Sequence, residues 1–199
     1  MRKWRRFWPV VVFAAAAFAV AAVHVLVDRL TREPPNYSRV EDGLWIGGSV
    51  AQPPPGTRAV LNLCESEDPY RVESHRWESI RDAEPAPSLD WLRAQVAFIE
   101  TERAAGRTVF VHCRNGVSRS GMVVVAYYMA RHGWSRDEAV EFVRSRRPGL
   151  RPNPAFMSLL SEWEHAIKGG ARQTEHGDRG RPAARPGGAG GAHFSPLVT

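Results

Sequence analysis

The pattern of apolar and polar positions divides the chain into three unequal parts. Phe7 to Val27 is a run of 21 residues without Asp, Glu, Lys or Arg. From about Asn36 to Lys168, short apolar runs alternate with stretches of helical period. From 169 onward large apolar residues are sparse, and Gly, Ala, Arg and Pro dominate.

In the middle part, Leu44-Trp45-Ile46-Gly47 reads as a short strand that closes on Gly48. Ala59 to Leu63 reads as a second strand, after the turn-rich Pro53-Pro54-Pro55-Gly56. Trp77 to Ile80 is a candidate strand as well. Leu89, Leu92, Val96 and Ile99 share one face of an amphipathic helix over 89–104, with Ser88 placed to cap it and Gly106 to stop it. Thr108 to Val111 is apolar and rich in β-branched residues, as a central buried strand requires. Gly121 to Ala130 is almost wholly apolar and reads as a buried helix. Ser135 and Glu138 form a capping box for a further helix that ends before Pro148. Asn153-Pro154 opens a last helix carrying Phe156, Leu159, Leu160 and Trp163. This alternation predicts an α/β domain over 36–168. Residues 169–199 are expected to form a disordered tail, because their composition buries too little surface to offset chain ordering.

Composition places the chain among ordinary globular proteins: 199 residues, 43% apolar and 24% charged, enough for one domain with extensions. Its two cysteines, Cys64 and Cys113, exclude a disulfide scaffold and a CxxC-type metal site; no metal is expected. A net charge of +6 points at first to an acidic partner such as nucleic acid or an anionic membrane. That excess lies in the flanks. Residues 1–35 carry six basic and two acidic side chains and residues 169–199 carry four and two, whereas 36–168 carry 17 of each. Nucleic acid is therefore not an expected partner.

The uncharged run is long enough to cross a bilayer core, which takes about 20 residues, and exceeds the roughly 7–15 of a signal-peptide core. A basic flank over 1–6 (Arg2, Lys3, Arg5, Arg6) precedes it. Trp4 and Trp8 lie where an interfacial belt would fall, and Asp28-Arg29 closes it. A single-pass transmembrane helix over 7–27 is expected, followed by a linker over 28–35 that contains Pro34-Pro35. The competing reading is a cleaved secretory signal, for which Ala19, Ala21 and Ala22 would supply small residues. The side of the membrane stays open. Four basic residues before the run against three after it (Arg29, Arg32, Arg39) favour an exported domain. An oxidising exterior would endanger a reactive cysteine.

The chemistry concentrates in Val111-His112-Cys113-Arg114-Asn115-Gly116-Val117-Ser118-Arg119-Ser120-Gly121, between the buried strand and the buried helix. A strand delivering a short loop to a helix N-terminus makes an anion cradle, in which backbone N–H groups and the helix dipole converge. A cysteine at the start of such a loop is held as thiolate. Arg119 can fold back and present its guanidinium fork to phosphate oxygens, Gly116 lets the backbone turn tightly, and Ser120 can donate to the sulfur. His112 reads as a hydrogen-bonding orienter of the loop rather than a base, since a thiolate held by amides needs none.

His112 to Ser120 resembles the phosphate-binding loop of the dual-specificity branch of the protein tyrosine phosphatases. The resemblance extends over about residues 37–166. It takes in Tyr37-Ser38-Arg39-Val40 through Gly48 as the opening strands and Asn153 to Trp163 as the closing helix. Asn115 stands where that family often has alanine. The resemblance implies an α/β fold with a central mixed, largely parallel sheet flanked by helices. It also implies metal-free, cofactor-free hydrolysis of phosphomonoesters, with Cys113 as nucleophile and residues 114–119 (Arg114, Asn115, Gly116, Val117, Ser118, Arg119) holding the phosphate. In similar enzymes the general acid is an Asp on a loop about thirty residues earlier; Asp82, 31 before Cys113, fits, with Glu84 and Asp90 as rivals. Cys64 resembles a strand-end cysteine that pairs reversibly with the nucleophile in some relatives; the plain reading is a buried cysteine. A phosphorylated protein is the expected substrate and a phospholipid headgroup the alternative, suggested by Arg114 beside the nucleophile and by the Tyr70/Glu73 segment. An inactive phosphate-binding protein is a further reading. The chain is expected to act as a monomer.

Overall fold

The computed structural model describes residues 17–24, 26–27 and 35–178, with side chains up to 169. Residues 17–24 and 26–27 are helical (α1), and Phe18, Val20, Val23, Leu26 and Val27 are exposed. Most of the expected transmembrane segment 7–27, namely 7–16 and 25, lies outside the described residues. So do 1–6 and most of the linker. Among the described residues no helix is long and apolar enough to cross a membrane.

The strands are β1 (Tyr37–Glu41), β2 (Leu44–Gly47), β3 (Thr57–Asn62), β4 (Ser74–Trp77) and β5 (Thr108–His112). The helices are α2 (Leu89–Ala104), α3 (Arg119–His132), α4 (Arg136–Arg146) and α5 (Pro154–Asp178). The strands form one sheet in the order β1-β2-β5-β3-β4; β1 runs antiparallel to β2 and every other pair is parallel. The sheet is thus mixed and largely parallel. β5 sits at its centre, and Val109, Phe110, Val111 and His112 are fully buried, which is why that segment is a continuous apolar run. α3 packs against α2, α4 and α5 and buries Met122 to Met129 without interruption.

Local signals act where expected. Ser88 accepts from Trp91 N at the start of α2, and Ser135 with Glu138 closes a capping box on α4. Two boundaries differ. β4 covers Ser74–Trp77 rather than 77–80, because its partner β3 ends at Asn62, which pairs with Trp77; Glu78 N donates to Asn62 O and the ladder stops there. α5 runs on to Asp178, so 169–178, expected to belong to a disordered tail, is helical. Ala171, Arg172, Gln173 and Glu175 are good helix formers and extend a helix already nucleated by packing. Residues 179–199 lie outside the described part.

Candidate active site

The central strand β5 ends at His112 and hands the chain directly to a loop over 113–118, whose far end is the first turn of α3. Parallel pairing on both sides of β5 places the C-terminal ends of β2, β3 and β5 together, and the site lies beyond them. Gly116 makes the loop possible. Its φ is +66°, and a Cβ there would lie 2.3 Å from the Gly47 carbonyl carbon, so the loop lies directly on the Gly47-Gly48 backbone.

Cys113 is almost fully buried at the floor of this loop. Its Sγ receives Gly116 N at 3.3 Å and lies 3.4 Å from Ser120 Oγ. Burial pushes the Cys113 thiol up. Hydrogen bonds from the Ser120 hydroxyl and from the Ser120, Gly116 and Val117 amides outweigh it and hold the group below the ordinary thiol value.

Arg119 opens α3 with its guanidinium buried. Nη1 donates to Glu65 Oε1 at 2.7 Å, to Ile80 O at 3.0 Å and to Leu63 O at 3.2 Å. Its buried Nε has no protein acceptor among the described residues. Arg114, beside the nucleophile, is exposed, as is Asn115.

Asp82 meets the loop from the far side. Its Oδ1 accepts from Ser118 Oγ at 2.6 Å and from Asn153 Nδ2 at 2.9 Å. The Ser118 oxygen accepts in turn from Asn153 N at 3.1 Å. Glu84 lies elsewhere, along a groove between Pro85, Pro87 and the start of α5. Asp90 is exposed in the first turn of α2, paired with Arg93. Of the three carboxylates considered, Asp82 is the one hydrogen-bonded to the loop.

His112 is fully buried against Phe110, with Nε2 3.0 Å from Asp68 Oδ2 and Nδ1 3.6 Å from Cys64 Sγ. Asp68 also meets His75 Nε2 at 2.9 Å. Burial raises the Asp68 carboxyl, but its bonds to His112 and His75 prevail and hold it low. Cys64 is a free thiol, 3.2 Å from Ser49 Oγ, and burial, with the neighbouring Cys113, keeps it above the ordinary value.

Asp68, first residue of the 68–73 segment that holds Tyr70 and Glu73, joins the site at His112, and Glu65, Asn153 and Arg147 join it at Arg119, at Asp82 and at the Asn115 and Gly116 carbonyls. Only Asn153 carried a local signal, as a helix-start residue; the other three meet their partners solely through folding.

The profile for the dual specificity phosphatase catalytic domain matches residues 57–166. The chain belongs to that family. Its site is therefore that of a cysteine-based phosphatase domain. The rat protein phosphatase Slingshot homolog 3 is 37% identical over 107 residues, 53% of this chain and 16% of that protein. Human dual specificity protein phosphatase 8 is 39% identical over 98 residues, 49% of this chain and 15% of that protein. The chain thus spans a small part of the curated relatives it matches. Among solved structures, PTPMT1 in complex with PI(5)P superposes with a TM-score of 0.62 at 24% identity, covering 69% of this chain and 99% of that one. At that identity the likeness speaks for the fold alone.

Proposed function

We propose that this chain hydrolyses phosphomonoesters on protein tyrosine, serine or threonine side chains through a cysteinyl-phosphate intermediate. The observation that carries this reading is Cys113, held below the ordinary thiol value at the focus of the Gly116, Val117 and Ser120 amides. The thiolate attacks phosphorus in line with the leaving oxygen. The loop amides and Arg119 hold the three equatorial oxygens, and the buried Nε of Arg119 finds its acceptor there. Asp82 protonates the departing oxygen, then takes a proton from the water that cleaves the sulfur–phosphorus bond. Ser120 steadies the thiolate on its return. Turnover of an aryl phosphate by the full chain, with Cys113→Ser as control, tests the reaction. A wild type that binds vanadate without turning over substrate would make it a phosphate-binding protein instead.

A phospholipid headgroup is the second reading, favoured by the exposed Arg114 next to the nucleophile and by the fold shared with a protein solved with PI(5)P bound. It fits the proposal that residues 7–27 anchor the chain in a membrane, which rests on their length and lack of charge. Phosphopeptides compared with phosphatidylglycerophosphate and phosphoinositides in vesicles separate the two substrate classes. Retention of the full chain in the membrane fraction after carbonate washing supports the anchor; release overturns it.

A further inference from the structure

In the middle of the loop the Gly116 N–H donates to Cys113 Sγ at 3.3 Å, and the Val117 N–H beside it adds to the stabilisation of the thiolate. Each belongs to a planar trans peptide whose carbonyl points the opposite way. The carbonyls of those same peptides are Asn115 O and Gly116 O, so whatever holds these two oxygens sets where the two N–H groups aim. One side chain holds both. Arg147, just past α4, donates from Nε to Gly116 O at 3.0 Å and from Nη2 to Asn115 O at 3.1 Å. The same Nη2 donates to Asn36 Oδ1 at 2.6 Å. Asn36 is itself pinned, since its carbonyl accepts from Gly48 N at 2.8 Å. A Cβ on Gly48 would lie 2.1 Å from Asn36 Nδ2, so the layers Asn36, Gly47-Gly48 and Gly116 leave no room to shift. Burial lowers the Arg147 pKa and the charge of Cys113 raises it, so the guanidinium and the sulfur are electrostatically coupled.

We propose that Arg147 and Asn36 form a clasp behind the loop that aims the Gly116 and Val117 amides at Cys113, which makes both of them positioning residues. The inference rests on reading Cys113 as the nucleophile. It adds that part of the thiolate's stabilisation is set from outside the loop, by a fork that pulls two carbonyls away from the sulfur. The other titratable groups about the loop are Arg119 on α3 and Arg114 beside the nucleophile with their shared partner Glu65, Cys64 after β3, His112 on β5 with its partner Asp68, and Asp82 against Ser118. All of these stay in place when the clasp is cut.

The experiment is the pH dependence of Cys113 alkylation by iodoacetamide, followed by peptide mass mapping of the full chain. Arg147→Met is expected to slow alkylation by about tenfold at pH values below the wild-type Cys113 midpoint, equivalent to one pKa unit upward. Asn36→Ala removes no charge and is expected to slow it by about threefold. Arg147→Lys keeps the charge but lacks the fork, and is expected to behave more like Arg147→Met than like wild type. Full recovery in Arg147→Lys would reduce the effect to charge and overturn the clasp. So would a wild-type profile in Arg147→Met. Thermal melts accompany each variant; should Arg147→Met unfold, Asn36→Ala carries the test, and an unchanged profile there overturns the clasp. Alkylation needs no turnover, so the two readings fail separately. An alkylatable but hydrolytically inert wild type overturns the phosphatase reading alone, while an active wild type with unmoved variants overturns the clasp alone.

Discussion

Ser118 and Asp82 are 36 residues apart in sequence and 2.6 Å apart in the structure, hydroxyl to carboxylate. Asn153 closes the triangle by donating its side-chain amide to the same Asp82 oxygen and its backbone N–H to Ser118 Oγ. An exposed loop carboxylate is thereby held against the phosphate-binding loop by groups from two other elements. Ser118→Ala and Asn153→Ala should each lower kcat for a phosphopeptide by about tenfold, the cost of loosening one oriented hydrogen bond. KM should move little, and p-nitrophenyl phosphate, whose leaving group needs no proton, should be hydrolysed nearly as well as by wild type.

Asp82→Asn should keep the geometry and remove the proton. General acid catalysis is worth about 10²–10⁴-fold, so phosphopeptide turnover should fall in that range while vanadate binding persists. Glu84→Gln, away from the loop, should leave turnover within about twofold. The reverse ranking in steady-state kinetics would transfer the acid role to Glu84.

The two cysteines should become reactive in different pH ranges, Cys113 at lower pH than Cys64. Cys113 lies below the ordinary thiol value and Cys64 above it, so iodoacetamide at neutral pH should modify Cys113 well before Cys64. Turnover requires the thiolate. Activity should therefore fall on the acid side as pH drops through the lowered Cys113 pKa, with the same midpoint in kcat/KM as in alkylation.

Gly116→Ala should disable the loop with little effect elsewhere. The left-handed backbone costs a residue with a Cβ about 1–2 kcal/mol, and that Cβ would fall 2.3 Å from the Gly47 carbonyl carbon. A displacement of about 1 Å at such a site costs about 10²-fold in rate. Turnover and vanadate affinity should both drop, while circular dichroism stays native.

Asp68→Asn should destabilise the fold by about 1–3 kcal/mol in urea titrations at pH 7, because buried His112 loses its charged acceptor, as does the more exposed His75. Asp68 has a folded pKa held below the ordinary carboxyl value. Its stabilising contribution is complete above that ordinary value and is lost as pH falls through the folded one. The gap between wild type and variant should therefore narrow below about pH 4.

What could be read along the chain was whatever local sequence decides. A β-branched apolar run, a cysteine, a glycine, an arginine six positions on and an apolar helix behind it lie within a few turns of one another. Strand, loop and helix are contiguous, and the phosphate cradle follows from backbone geometry over that single stretch. Caps such as Ser88 and the Ser135–Glu138 box are equally local. Asp82 was legible only as one carboxylate among three, since spacing narrows a loop position without saying which oxygen meets the site.

Tertiary structure decided the rest. That Asp82 rather than Glu84 contacts Ser118 depends on how the loop after β4 packs against the start of α5. That Asp68 joins His112 to His75, and that Arg147 holds the loop carbonyls from 31 and 32 residues away and Asn36 from 111, depends on the strand order β1-β2-β5-β3-β4. Asparagine, aspartate and arginine serve equally well on a solvated surface, so nothing in their local sequence announces these roles. The end of β4 likewise depends on where β3 stops offering partners. A hydrogen bond between distant residues exists only once the sheet has closed the distance between them. The chain alone could therefore show which residues form the phosphate loop, and only the fold could show what holds that loop in shape.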